Sequence, residues 1–122
     1  MNLQEMHDEI HEYLKECERN ALSPDNLGGD RYCAGTIRGA FLCLHLAKAV
    51  HSPQRLIVEL FKLRDQEATR WGSDTPIGRD YYLTGILYSI DEVLHIAQSY
   101  ADAPPTFRGH STTPYADIRS RA

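Results

Sequence analysis

Leu3, Met6, Ile10, Tyr13 and Cys17 recur at alternating steps of three and four, the spacing of one apolar stripe along a helix over about residues 2 to 20. Glu, Asp, Lys and His fill its opposite face. The stretch "NALSPDNLGGD" then supplies Pro24 and the Gly28-Gly29 pair, which end a helix and turn the chain. A second pattern, Ile37, Ala40, Phe41, Leu44, Ala47 and Val50, is widened by Leu42, Cys43 and Leu46. So broad an apolar arc predicts a helix from about Arg31 to His51 that is contacted from several sides. Ser52 followed by Pro53 has the form of an N-cap with a first-turn proline. It opens a third helix whose inward positions are Leu56, Ile57, Leu60, Leu63 and Trp71. After the loop "GSDTPIG", the positions Leu83, Ile86, Ile90, Val93, Ala97 and Tyr100 predict a fourth helix ending near Ala101.

No segment alternates with period two, so the expected class is all-α, a four-helix bundle. Residues 1–101 form its single helical domain. Residues 102–122, "DAPPTFRGHSTTPYADIRSRA", are rich in Pro, Ser and Thr and form an expected extended tail or arm. Its apolar anchors are Phe107, Tyr115 and Ile118. Arg108, Arg119 and Arg121 against Asp102 and Asp117 give the tail a charge of +1, which leaves −5 on the body of a chain whose total is −4.

The chain also repeats itself. "LGGDRYCAG" from Leu27 returns fifty residues later as "IGRDYYLTG" from Ile77, and the ungapped alignment of 27–47 with 77–97 holds seven identities in 21 positions. Chance supplies about one or two at any one offset. Gln4/Gln54, Glu9/Glu59, Met6/Leu56 and Ile10/Leu60 keep the same offset through the first and third helices. Two tandem helical hairpins follow, one over about 1–51 and one over about 52–101. Asp30 and Asp80 stand where N-caps would, and Gly35, Gly85, Ala47 and Ala97 are small residues at matching places. Those four predict that the second and fourth helices cross closely at the centre of a pseudo-two-fold bundle.

Composition narrows the class without naming a function. Apolar content of 42% and charged content of 25% are ordinary for a globular domain of 122 residues. The mild, interspersed charge offers no basic footprint for nucleic acid, so direct DNA binding is not expected. Cys17, Cys33 and Cys43 are an odd number without a zinc spacing and read as reduced, packing cysteines. The acidic, periodic N-terminus lacks the pattern of a signal peptide, and no apolar run approaches a membrane span. The expected location is the cytoplasm.

Candidate chemistry is sparse. "EVLH", Glu92 to His95, is an ExxH of the kind that gives two ligands to a di-iron centre, yet the partner of Glu92 in the first repeat is Leu42. His45 and His95 are accordingly expected as bundle histidines, with no cofactor. His7 and His11 are four apart, and "EIHE" has half of the ExxE…ExxD set of all-α pyrophosphatases, but neither motif is completed. The richer feature is Arg31, Tyr32, Arg38, Arg79, Tyr81, Tyr82 and Tyr88 around the two interhelical loops. Arg and Tyr at helix N-termini suit capping, a protein interface, or a stacked and phosphate-bearing ligand.

"CLHLAKAVHSP", Cys43 to Pro53, resembles the second helix of the phage-encoded helical-hairpin sponges that sequester cyclic nucleotides, with Lys48, Ala49, Val50 and Pro53 in the matching places. The resemblance spans about eleven residues and lacks the aromatic usually found before the Leu. It implies a phage protein and a nucleotide ligand. The residues themselves favour a non-catalytic interaction module that binds a protein partner and self-associates, plausibly a phage or mobile-element inhibitor or adaptor. The alternatives are a protein that sequesters a cyclic nucleotide or other small anion, and a metal-dependent hydrolase or oxidase built on Glu92 and His95.

Overall fold

A computed structural model describes residues 3–23, 29–72 and 77–101, and at 29, 71–72 and 77–80 the backbone alone. Four helices fill these residues: α1 (Leu3–Leu22), α2 (Gly29–Ala49), α3 (Pro53–Gly72) and α4 (Ile77–Tyr100). The class is all-α as the pattern predicts, and α1–α2 and α3–α4 pair as two hairpins. The expected arm, 102–122 with Phe107, Tyr115 and Ile118, lies outside the described residues.

The α2–α3 corner forms as its dipeptide dictates. Ser52 Oγ accepts the Arg55 amide at 3.1 Å and the Ser52 carbonyl accepts the Leu56 amide at 3.1 Å. Pro53 therefore occupies the first turn, where a missing N–H leaves nothing unpaired. The starts of α2 and α4 differ from expectation. Because these helices begin at Gly29 and Ile77, Asp30 and Asp80 lie inside them rather than at the caps. Asp30 is a first-turn acid, favoured there by the positive end of the helix dipole.

Met6, Ile10, Leu56, Leu60, Ile86, Ile90 and Val93 are fully buried. Each removes an aliphatic side chain from water, worth roughly 1.5–3 kcal/mol. Met6 and Leu56, and Ile10 and Leu60, are repeat-equivalent pairs, so the two hairpins build the core from the same positions. Two departures are instructive. Phe41 was expected in the core but is 60% exposed, because α2 turns its Ala40, Cys43, Leu44 and Ala47 face inward and Phe41 falls 100° away from Ala40. Leu14 and Leu94, absent from the predicted stripes, are buried instead.

The α2–α4 pair makes the most extensive interface, and α1 and α3 each lean mainly on their own hairpin partner. A Cβ added to Gly35 would collide with the Tyr82 carbonyl oxygen, and one added to Gly85 with the Tyr32 carbonyl oxygen. These two contacts are images of each other under the fifty-residue offset. At the next turn, a Cβ on Gly39 would lie 2.8 Å from the Cβ of Ser89, its repeat equivalent. Equivalent residues thus face one another at successive turns, which makes α2 and α4 parallel and places the pseudo-two-fold axis between them. Every fourth residue along these faces is accordingly small or slender: Gly35, Gly39, Cys43 and Ala47 on α2, and Gly85, Ser89, Val93 and Ala97 on α4.

The glycines are required for space, since both sit in ordinary helix. Alanine gains about 1 kcal/mol of helix propensity over glycine. Against backbone that cannot rotate out of the way, overpacking outweighs this gain, at about 1–3 kcal/mol. We expect Gly35→Ala and Gly85→Ala each to lower the urea unfolding midpoint, and by similar amounts because the contacts are reciprocal. A raised midpoint in either variant would contradict the close crossing.

Candidate functional site

The two flanks of the α2–α4 pair begin from equivalent positions and end differently. On the α2–α3 flank, Arg38 Nε lies 3.4 Å from Glu67 Oε1. The Glu67 side chain is only 6% exposed and that of Arg38 32%. One step away, Arg64 Nε reaches Asp91 Oδ1 at 3.1 Å across α3 and α4, with both side chains largely buried. The equivalents of Arg38 and Glu67 in the other half are Tyr88 and Cys17, and those of Arg64 and Asp91 are Leu14 and Phe41. The ion pairs that close the α3 side therefore have no counterpart at the equivalent positions of the α1 side.

On the α4–α1 flank a cleft of about 540 Å³ opens between α1, α2 and α4. Tyr13, Tyr32 and Tyr88 form its walls, and Cys17, Cys33 and Thr36 its floor. Tyr32 and Tyr88 meet with ring centroids 6.4 Å apart and planes tilted by 55°. Four carboxylates, Glu9, Glu12, Glu16 and Glu92, stand around the opening, and none of the described lining residues is Lys, Arg or His. Arg19 approaches Glu12 from outside at 3.7 Å, with both side chains more than half exposed. So exposed a pair is worth little against solvent and salt.

Hydrogen bonds hold the inner wall rigid. Tyr13 O–H donates to Ser89 Oγ at 3.0 Å, Ser89 donates to the Thr36 carbonyl at 2.7 Å, and Thr36 donates to the Cys33 carbonyl at 2.8 Å. Ser89 is wholly buried, so this chain satisfies a hydroxyl that would otherwise cost about 1–3 kcal/mol. At one end of the cleft Tyr100 O–H donates to Glu9 at 2.8 Å, tying α4 to α1. That bond, with lesser help from burial, pushes the Tyr100 phenol up to about 12. His7 Nε2–H donates to the Ala47 carbonyl at 2.9 Å, so the histidine expected on a solvated face instead joins α1 to the last turn of α2.

Burial raises the Tyr13 and Tyr32 phenols and the Cys17 and Cys43 thiols above their ordinary values of 10.0 and 9.0. For Cys17, the neighbouring hydroxyls of Tyr13, Thr36 and Ser89 partly oppose the effect. All three cysteines are buried and none is in a disulfide.

The loop residues singled out in the sequence do not form one group. Tyr32 and Tyr88 share the cleft, whereas Arg38 lies on the opposite flank against Glu67. Arg31 and Tyr81 are exposed and Tyr82 is half-buried on the α2–α4 seam, while the Arg79 side chain lies outside the described residues. Glu92 borders the cleft and His95 is exposed, as is His45, so the expected bundle histidines are surface residues. Among the described residues no three His, Cys, Asp or Glu side chains converge as metal ligands. Sequence reasoning missed Glu67, Ser89 and Glu16, and took Glu9 and Glu12 only as half of a metal motif. A signal existed for the first: Glu67 occupies the register of the inward-facing Cys17.

No family model, curated protein or solved structure matches the chain.

Two measurements follow. Replacing Arg38 by Met removes a charged donor from the buried Glu67, and we expect a loss of about 1.5–3 kcal/mol in unfolding free energy. The double variant Arg38→Met/Glu67→Met should regain most of it, a coupling that a solvated pair would not show. The second concerns pH. Thiols and phenols whose pKa is raised on folding contribute stability that is fully present below their unfolded values and lost as pH rises through the folded ones. The thermal midpoint should thus be level from pH 7 to about 8.5 and fall from about pH 9 upward. A midpoint level to pH 11 would mean that these groups titrate freely in the folded chain.

Proposed function

We propose that the protein is a non-catalytic helical interaction module that binds another macromolecule through its α4–α1 flank, in the manner of an inhibitor or adaptor. The observation that carries this reading is the unequal treatment of two equivalent flanks. One is closed by internal ion pairs, and the other keeps a tyrosine-walled cleft ringed with carboxylates. A tandem repeat that served only to bury its core would gain nothing from leaving one flank open. Tyrosine is also among the residues that contribute most at protein interfaces, offering large contact area with few rotamers to fix.

Charge bears on the nucleotide alternative. Phosphates approaching Tyr32 and Tyr88 would meet Glu12, Glu16 and Glu92, while Arg38 is held against Glu67 on the opposite flank. Such a rim repels anions. A metal-dependent hydrolase would need ligands beyond Glu92, and among the described residues no cluster of three gathers there. No helix among the described residues is long and apolar enough to cross a membrane. A phage or mobile-element origin, a cytoplasmic location and self-association belong to the same proposal and rest on the sequence alone.

The test is affinity capture from the natural host on the immobilised full chain, followed by reconstitution of the complex from purified components. The expected result is a partner that co-elutes with the chain in size exclusion and is released by competition with free protein. If no captured component rebinds when purified, the interaction reading fails.

A further inference from the structure

The molecule carries an internal comparison for its own cleft. Superposing the repeats brings Tyr88 and Cys17 onto Arg38 and Glu67. On the α2–α3 flank, the space between the central pair and the flanking helix is therefore taken by a guanidinium lying beside a buried carboxylate. On the α4–α1 flank Tyr88 stands in place of that arginine, and the surrounding carboxylates are more numerous. Glu12 and Glu16 correspond to Lys62 and Gln66, and Glu92 corresponds to Leu42. Glu16 pairs with no cation among the described residues. We propose that the α4–α1 cleft receives the guanidinium of an arginine carried on a basic segment of the partner protein, which packs beside Tyr88, the residue that stands where Arg38 stands on the α2–α3 flank.

The chemistry of the walls fits a guanidinium better than an ammonium. Its flat, weakly hydrated faces stack on tyrosine rings, and Tyr32 and Tyr88 present two tilted rings on one side of the cleft. Its fork of N–H donors matches carboxylates held along one helix face, where Glu12 and Glu16 are one turn apart on α1. The Tyr13 hydroxyl is engaged with Ser89, so the wall it forms is fixed before a ligand arrives. The cleft volume of about 540 Å³ leaves room for the side chain and part of its backbone.

This inference rests on the interaction-module reading and can fail separately from it. Isothermal titration of the full chain would use three Gly/Ser nonapeptides carrying three arginines, three lysines or three citrullines. The arginine peptide should bind at least tenfold more tightly than the citrulline peptide and several-fold more tightly than the lysine peptide. Tyr88→Arg, which gives the first cleft the residue that fills the second, should weaken the arginine peptide at least tenfold. Glu12→Gln/Glu16→Gln should do the same without adding bulk, and circular dichroism checks that both variants are folded. Glu18→Gln/Asp65→Asn removes equal charge away from the cleft and should change affinity less than twofold. Equal binding of the citrulline or lysine peptide, undiminished binding by the cleft variants, or an equal loss in the control variant would each overturn the assignment. A captured partner held equally well by wild type and Tyr88→Arg overturns the cleft proposal and leaves the module reading standing. Specific arginine binding with no partner that rebinds does the reverse.

Discussion

Two backbone segments that touch without intervening side chains set the rest of this structure. In an up-and-down four-helix arrangement the second and fourth helices lie diagonally, and ordinary side chains keep a diagonal pair apart. Here Gly35 and Gly85 remove the obstruction, and each lies against the carbonyl of the other's preceding turn, Tyr82 and Tyr32. Small-residue seams of this kind let helix backbones approach more closely than packed leucines allow. Once α2 and α4 are in contact, α1 and α3 are driven to opposite flanks. Their apolar stripes can then be covered only by their own hairpin partner and the near edge of the other hairpin.

The shared scaffold makes the differences between the flanks informative. Equivalent backbone positions offer equivalent spaces, so what fills each space reflects side-chain chemistry alone. Arg38, Arg64, Glu67 and Asp91 close the flank around α3, and Asp91 Oδ2 has no partner among the described atoms even so. Buried ion pairs of this sort seldom add stability over apolar packing, but they fix which groups may approach. The first repeat has Leu14 and Cys17 at the corresponding α1 sites and lets the surface part above them.

Much of the architecture was legible in the chain because it depends on local rules. Apolar periodicity marks helices, Pro24 and the glycine pair break one, Ser52-Pro53 starts another, and the repeat offset identifies the central pair through matched small residues. The site was harder to read. Periodicity reports which face of a helix turns inward but not which neighbour it meets, so Phe41 was placed in the core and Leu14 was passed over. Arg38 and Tyr88 looked like members of one group because both follow similar loops. A two-fold relation sends equivalent residues to opposite sides, and that is where the structure holds them. The acidic cleft escaped notice for a related reason. Glu9, Glu12 and Glu16 read as a solvated stripe until α4 brings Glu92 and Tyr88 alongside.

The Pro53 corner joining the halves has a consequence for valency. A homodimer of a single hairpin would be bound by symmetry to present the same flank twice, both closed or both open. Joining the hairpins in one chain frees each copy to diverge, and here the divergence leaves one acidic cleft per molecule. In the proposed role, each molecule would hold a single basic segment at a time. Under the proposed function, bridging of two such segments would then have to come from self-association of the chain and not from a second cleft on the same molecule.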